Sequence, residues 1–103
     1  MTAPLPIKVS PQASAQIEEV AEWWALNRSS APGAVRNDVA EILALLSVQP
    51  GAGAPARRTR VRGVRRAILP RIRYYLYYRV SGGALEVLAL WHTNRDRQPY
   101  GFR

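Results

Sequence analysis

The sequence predicts an α+β fold of order β-α-α-β-β-β, with a helical hairpin packed on one face of a mostly antiparallel four-stranded sheet. Three observations carry this. Apolar residues recur at helical spacing in two stretches separated by a short turn. Beyond a Gly/Pro/Ala-rich segment, QPGAGAPAR at 49–57, the period switches from 3.6 to 2. Two turn signals then divide the second half into three strands joined as hairpins.

In chain order, LPIKVS at 5–10 alternates around Ile7 and Val9 and reads as a first strand. Ser10 followed by Pro11 is a helix start, with Ser10 as N-cap and Pro11 at a position where the missing N–H costs nothing. Ala13, Ile17, Val20 and Trp24, with Ala21 alongside, form one apolar stripe on a helix running to about Asn27. Glu18, Glu19 and Glu22 lie off it, and the first two suit the helix dipole. SSAPG at 29–33 is a turn that also offers an N-cap. Val35, Val39, Ile42 and Leu46 then repeat the spacing on a second helix to about Ser47. The short link makes the pair an antiparallel hairpin.

RGVRRAIL (62–69), IRYYLYYRV (72–80) and ALEVLALW (84–91) read as strands, with turns at Pro70-Arg71 and Ser81-Gly82-Gly83. In the middle strand Ile72, Tyr74, Leu76, Tyr78 and Val80 are expected on a core face under the helices. Arg73, Tyr75, Tyr77 and Arg79 are expected on the other, a face of rings with cationic ends. A single domain over 1–103 is expected, since a chain of this length buries roughly 60–70% of its unfolded surface without staples.

Composition narrows the chemistry. The chain has no cysteine and one histidine, His92, so disulfides, thiolate sites and a thiol nucleophile are excluded, and no metal or cofactor is expected. The start, MTAPLPIKVS, has no signal-peptide pattern, and no apolar run approaches a membrane span, so a cytoplasmic protein without membrane contact is expected. Net charge is +8, and its source is local. No acid occurs between Glu41 and Glu86, whereas Arg57, Arg58, Arg60, Arg62, Arg65, Arg66, Arg71, Arg73 and Arg79 all do. One sign of charge concentrated on half a small domain implies an anionic partner, nucleic acid or an acidic protein. Arginine in place of lysine favours forked contacts to phosphate or carboxylate.

The order of elements and several residues resemble the RelE/ParE superfamily of bacterial toxins from type II toxin–antitoxin modules. The resemblance rests on the first helix with its apolar stripe ending in Trp23-Trp24, the exit from Leu46 to Pro50-Gly51, and the arginine-rich entry into the second strand. It also rests on the tyrosine-rich YYLYYRV and a last strand running into His92-x-x-Arg95. It implies a cytoplasmic toxin neutralised by a cognate acidic antitoxin. Two activities occur on this fold: ParE-like members block DNA gyrase, and RelE-like members cut mRNA in the ribosomal A site.

Cleavage of RNA would need a base, a cationic stabiliser and an acid. Arg73, Arg79 and Arg95 are candidate stabilisers, and Tyr100 sits roughly where the family's C-terminal tyrosine would be. The base is the difficulty, because arginine stays protonated and the one lysine, Lys8, lies on the first strand. His92 has a suitable range, but it also reads as the sheet's closing corner, with Arg95 pairing to Asp96 or a carbonyl.

The ParE-like, gyrase-poisoning reading therefore leads, with the ribosome-dependent endoribonuclease (Arg73, Arg79, His92, Arg95, Tyr100) second. A non-toxic basic nucleic-acid-binding module is third, since the basic excess lies on strands and no DNA-reading helix is evident. Target or antitoxin binding is assigned to Arg65, Arg66, Arg73, Tyr75, Tyr77, Arg79 and Arg95. Trp23 and Leu26, off the helix stripe, either join that surface or fill the seam against the second helix.

Overall fold

The computed structural model describes residues 3–28, 30–57 and 59–93. Strand β1 (Ile7–Val9) leads into helix α1 (Pro11–Asn27), a turn and helix α2 (Ala34–Val48). A single 3₁₀ turn (Pro50–Ala52) and a two-residue strand β2 (Ala54–Pro55) follow. Strands β3 (Arg65–Leu69), β4 (Tyr74–Ser81) and β5 (Ala84–His92) complete the chain described. The sheet has five strands in the order β1-β5-β4-β3-β2, antiparallel except where β1 runs parallel to β5.

The helices start and stop close to their sequence signals. The Ser10 side chain accepts a hydrogen bond from the Ala13 N–H at 3.1 Å, and Pro11 opens α1. At α2 the cap is Gly33, without a side-chain hydrogen bond. The turn bonds from Ala31 N–H to the Arg28 carbonyl and from Ala34 N–H to the Ala31 carbonyl delay the helix past the serines. Both stripes pack as expected: Ala13, Ala21, Val35, Val39 and Leu46 are buried, and Ile17, Val20, Trp24 and Ile42 lean on them. Across the hairpin Arg36 donates two 2.8 Å hydrogen bonds to Glu18, which hold that carboxyl below the usual carboxylate range.

Three strand expectations need correction. The sheet has five strands rather than four, because β2 pairs Ala54 with Arg66 and Pro55 with Arg65. Two residues in a Gly/Pro/Ala run carry no alternation to read, and Pro55 is tolerated only at an edge. Strand β3 begins at Arg65 rather than Arg62, since the chain turns through Gly63 at φ 74°. Strand β4 begins at Tyr74 rather than Ile72: Leu69 pairs with Tyr74, so 70–73 is the hairpin loop. The β4–β5 hairpin has a tight turn at Gly82 and Gly83, both at positive φ, as a primed two-residue turn requires.

The core lies between the helices and one sheet face. Leu69, Ile72, Leu76, Tyr78, Leu85, Val87 and Leu90 meet the helix stripes there. Val80, expected in this core, is exposed, because the helices do not extend over the turn end of β4. On the opposite face Val64, Tyr77 and Ala89 are buried, with Ala56, Val61, Tyr75, Leu88 and Trp91 packed around them.

A β-bulge divides β5. Tyr77 pairs with Ala89 and Tyr78 with Val87, which leaves Leu88 as the extra residue. The alternation therefore inverts at Leu88. Leu85 and Val87 point into the helix-side core before it and Leu90 after it, whereas Ala89 and Trp91 join the opposite face. α1 finishes the exposed side of β5 beyond β1: the Gln16 side chain accepts from the Leu90 N–H at 2.9 Å.

Candidate binding surfaces

The cationic residues separate into two places. The first is the sheet face away from the helices. Tyr75 and Tyr77, two apart on β4, meet edge to face with centroids 6.3 Å apart. Arg66 on β3 lies over the Tyr75 ring, its guanidinium carbon 4.2 Å from the centroid, in cation–π geometry. Tyr77 is only 2% exposed, so its ring fills the second cluster rather than offering a stacking platform. Arg65, the register partner of the core residue Tyr78, turns instead to the helix side and donates to the Gly53 carbonyl at 2.7 Å. Arg79 donates to Glu86 at 2.7 Å across β4 and β5, which neutralises its charge in place.

Arg73, expected on that face, is elsewhere. It sits in the loop before β4 at φ 60°, the one positive-φ residue other than glycine among those described. The physical reason is the loop's geometry: a bond from the Arg73 N–H to the Leu69 carbonyl closes it, and the Thr93 N–H bonds the Arg73 carbonyl at 3.0 Å.

The second place is a cleft of about 340 Å³ between the end of α1 and this loop. Trp23, Trp24, Arg28, Arg71, Ile72, Arg73, Tyr74 and His92 line it. Trp23 and Trp24 meet edge to face at 6.4 Å, and the Arg28 guanidinium lies 6.0 and 5.7 Å from their ring centroids. Arg71 is held by Asp38 through two hydrogen bonds at 3.1 and 2.5 Å, so its charge is countered. His92 is the register partner of Tyr74, and their rings meet edge to face at 5.0 Å. His92 thus stands on the helix side, with Trp23, Tyr74 and Arg73, rather than beside Arg65, Arg66 and Arg79.

The binding set expected from sequence is therefore split. Arg66, Tyr75, Tyr77 and Arg79 share one face, Arg65 lies beside Tyr78 on the other, and Arg73 and Trp23 share the cleft with His92. Leu26 is 84% exposed and Trp23 51%, so neither fills the seam between the helices. Arg95 and Tyr100 lie outside the described residues. Arg28 was not singled out from sequence, although its position four residues beyond Trp24 was a usable signal, because that spacing meets on a helix face. Among the described residues no cluster of His, Asp or Glu is arranged to hold a metal ion, and no helix is long and apolar enough to cross a membrane.

Tyr78 anchors the loop side of the site. Its buried phenol donates to the Pro50 carbonyl at 2.7 Å and accepts from the Gly53 N–H at 2.9 Å. Burial pushes the phenol above its ordinary value of 10.0, against the smaller opposing effects of the Gly53 bond and the charge of Arg65. A Cβ on Gly53 would lie 2.5 Å from the phenol oxygen and 2.8 Å from the Arg66 carbonyl, so only glycine fits. This ties the Pro50-Gly51 helix exit, β2 and the central strand together.

Comparison with known proteins agrees with this architecture. A solved structure described as "Chromosomal ParDE TA system from P. aeruginosa" superposes with a TM-score of 0.72 over 87% of this chain and 97% of that one. At 24% identity that likeness speaks for the fold alone. No curated protein matches the sequence. The family model described as "ParE toxin of type II toxin-antitoxin system, parDE" matches residues 7–97, which takes in both helices and every strand among the described residues. The chain belongs to the ParE toxin family.

Proposed function

We propose that this toxin acts in the cytoplasm by binding and poisoning DNA gyrase, and that a cognate acidic antitoxin holds it silent. The observation that carries the proposal is membership of the ParE family over residues 7–97. The chemistry of the cationic sheet face supports it. Arg79 is neutralised by Glu86, Tyr77 is buried as packing, and Lys8 lies on β1 at the far end of the sheet order from Arg65 and Arg66. A face built this way suits contact with a protein more than proton transfer.

An acidic antitoxin is favoured by two features. Strand β3 pairs with β2 only through Arg65 and Arg66, so Ala67, Ile68 and Leu69 have no second strand partner among the described residues. Beside that edge Ile68 is 52% exposed, and an apolar groove of about 380 Å³ runs under Ile42 and Leu45 with Arg66 at its rim. An extended segment that adds its backbone to this edge and presents carboxylates to the arginines fits both features.

The second reading is a ribosome-dependent endoribonuclease, and one observation favours it: His92 and Arg73 line the same cleft, so a base and a cationic stabiliser stand together. Two assays separate the readings. Purified protein added to gyrase and relaxed plasmid is expected to block supercoiling or trap the cleaved complex, and neither effect would remove gyrase as the target. Cleavage of mRNA on programmed ribosomes, abolished by His92→Gln, would establish the nuclease instead.

A further inference from the structure

The cleft between α1 and the 70–73 loop combines flat rings with cationic forks in a way that neither the core nor the sheet face explains. Trp23 is half exposed, and Tyr74 and His92 stand across from it. Two guanidiniums, Arg28 and Arg73, border the opening, and none of the ion pairs among the described residues includes either. Among the described residues no carboxylate lines it. Arg73 is held there in a left-handed conformation that a β-carbon disfavours, fixed by its own N–H and by the bond its carbonyl accepts from Thr93. Strain retained by two backbone hydrogen bonds is typical of a residue whose position matters for more than packing.

We propose that this cleft binds single-stranded nucleic acid, with one unstacked base against Trp23 and Tyr74 and the flanking phosphates on Arg28 and Arg73. A planar π-system joined to an anion is the chemistry that rings and guanidiniums at such spacing recognise together. An acidic peptide would use the arginines and leave the indole unmatched. A duplex presents stacked bases that cannot enter a cleft of about 340 Å³. A strand is favoured over a lone nucleotide because Arg60, Arg62 and Arg66, outside the cleft, take part in none of the ion pairs among the described residues and leave positive charge for further phosphates. The proposal goes beyond the gyrase reading and stands or falls separately from it.

The test uses the purified chain and a labelled oligothymidylate of about 12 residues, followed by anisotropy and by indole emission. Binding is expected to quench tryptophan fluorescence. Arg28→Gln with Arg73→Gly should weaken binding about tenfold and lower the slope of log affinity against log salt by about 0.7 for each phosphate no longer neutralised. Lys8→Gln with Arg36→Gln removes the same formal charge from β1 and α2, outside both the cleft and the arginine-rich half, and should change affinity less than about twofold. Arg73→Gly alone, which suits a left-handed φ, keeps the test valid if the double variant melts early. Oligouridylate run in parallel tells whether the sugar matters, and binding of either strand supports the site. Equal weakening by the two pairs, equal affinity for the duplex or for thymidine monophosphate, or no binding would each overturn it. Gyrase assays on the same variants keep the two proposals distinguishable.

Discussion

Arg79 and Glu86 are register partners on β4 and β5, and the arginine Nε donates to the carboxylate across 2.7 Å. Both side chains are about one-third exposed, so the pair is only partly screened. Glu86 is the acid that ends the long arginine-only stretch of the sequence, and folding places it on the last arginine of that stretch. Arg79 is thereby a sheet residue first and a binding candidate second. Each single alanine substitution is expected to cost about 0.2–1 kcal/mol, the range for cross-strand charge pairs. A double-mutant cycle by urea unfolding checks this, and additive effects would mean that the pair contributes nothing. Glu86→Ala should also release the Arg79 charge and raise affinity for acidic partners.

Tyr78 and Gly53 supply a second prediction. Tyr78→Phe strips a hydrogen-bond partner from the Pro50 carbonyl and the Gly53 N–H, and about 1–3 kcal/mol of stability should go with it. Gly53→Ala should cost a similar amount, because its Cβ has no room to move from the Arg66 backbone. The pH dependence has a definite sign. The folded phenol holds its proton above the unfolded value of 10.0, so between the two values the native state binds more protons than the unfolded state. Stability from this source is complete below pH 10.0 and falls as pH rises toward the folded value. Unfolding followed from neutral to alkaline pH should show this decline, and Tyr78→Phe should lessen it.

Arg73 is strained where it stands. A left-handed residue with a β-carbon costs roughly 1–2 kcal/mol, and glycine's extra chain entropy returns about 0.5–1 of that. Arg73→Gly should therefore leave stability unchanged or improve it by up to about 1.5 kcal/mol. A clear drop in melting temperature would mean that the guanidinium makes a structural contact worth more than the strain.

Leu88 is the extra residue of the β5 bulge. Deleting it would join Val87 to Ala89 with the other register pairs kept, so Leu90 and His92 should stay on the helix side. The deletion should therefore cost less than the roughly 2–5 kcal/mol of a lost core leucine. Calorimetry reports the change, and a loss in that range would mean that the deletion had turned Leu90 out of the core.

The helices were legible because each reports itself locally: Ser10-Pro11 caps one, and apolar residues at three- and four-residue spacing fix the buried side of both. The β4–β5 turn was equally plain, since two adjacent glycines permit the positive φ it needs. The outer strand was not, because two residues at Ala54–Pro55 are strand only through their partners Arg66 and Arg65. For the candidate sites, the residue types were visible in advance and their grouping was not. Arg73 and Arg79 differ by an even number in sequence, which places them on one face only if the strand covers both. The loop ends after Arg73, so it does not.

By itself, then, the sequence determined the α+β class, the helical hairpin, the resemblance carried from Trp23-Trp24 to His92, and a positive field on the second half of the chain. These follow from local periodicity, capping and charge, none of which requires knowing what lies across the sheet. The tertiary structure decided where that charge is countered and where His92 points. Arg79 is neutralised by a residue seven positions on, and Arg71 by one 33 positions back. The bulge at Leu88 exists only as a mismatch between two strands, and through it His92 meets Tyr74 under the helices.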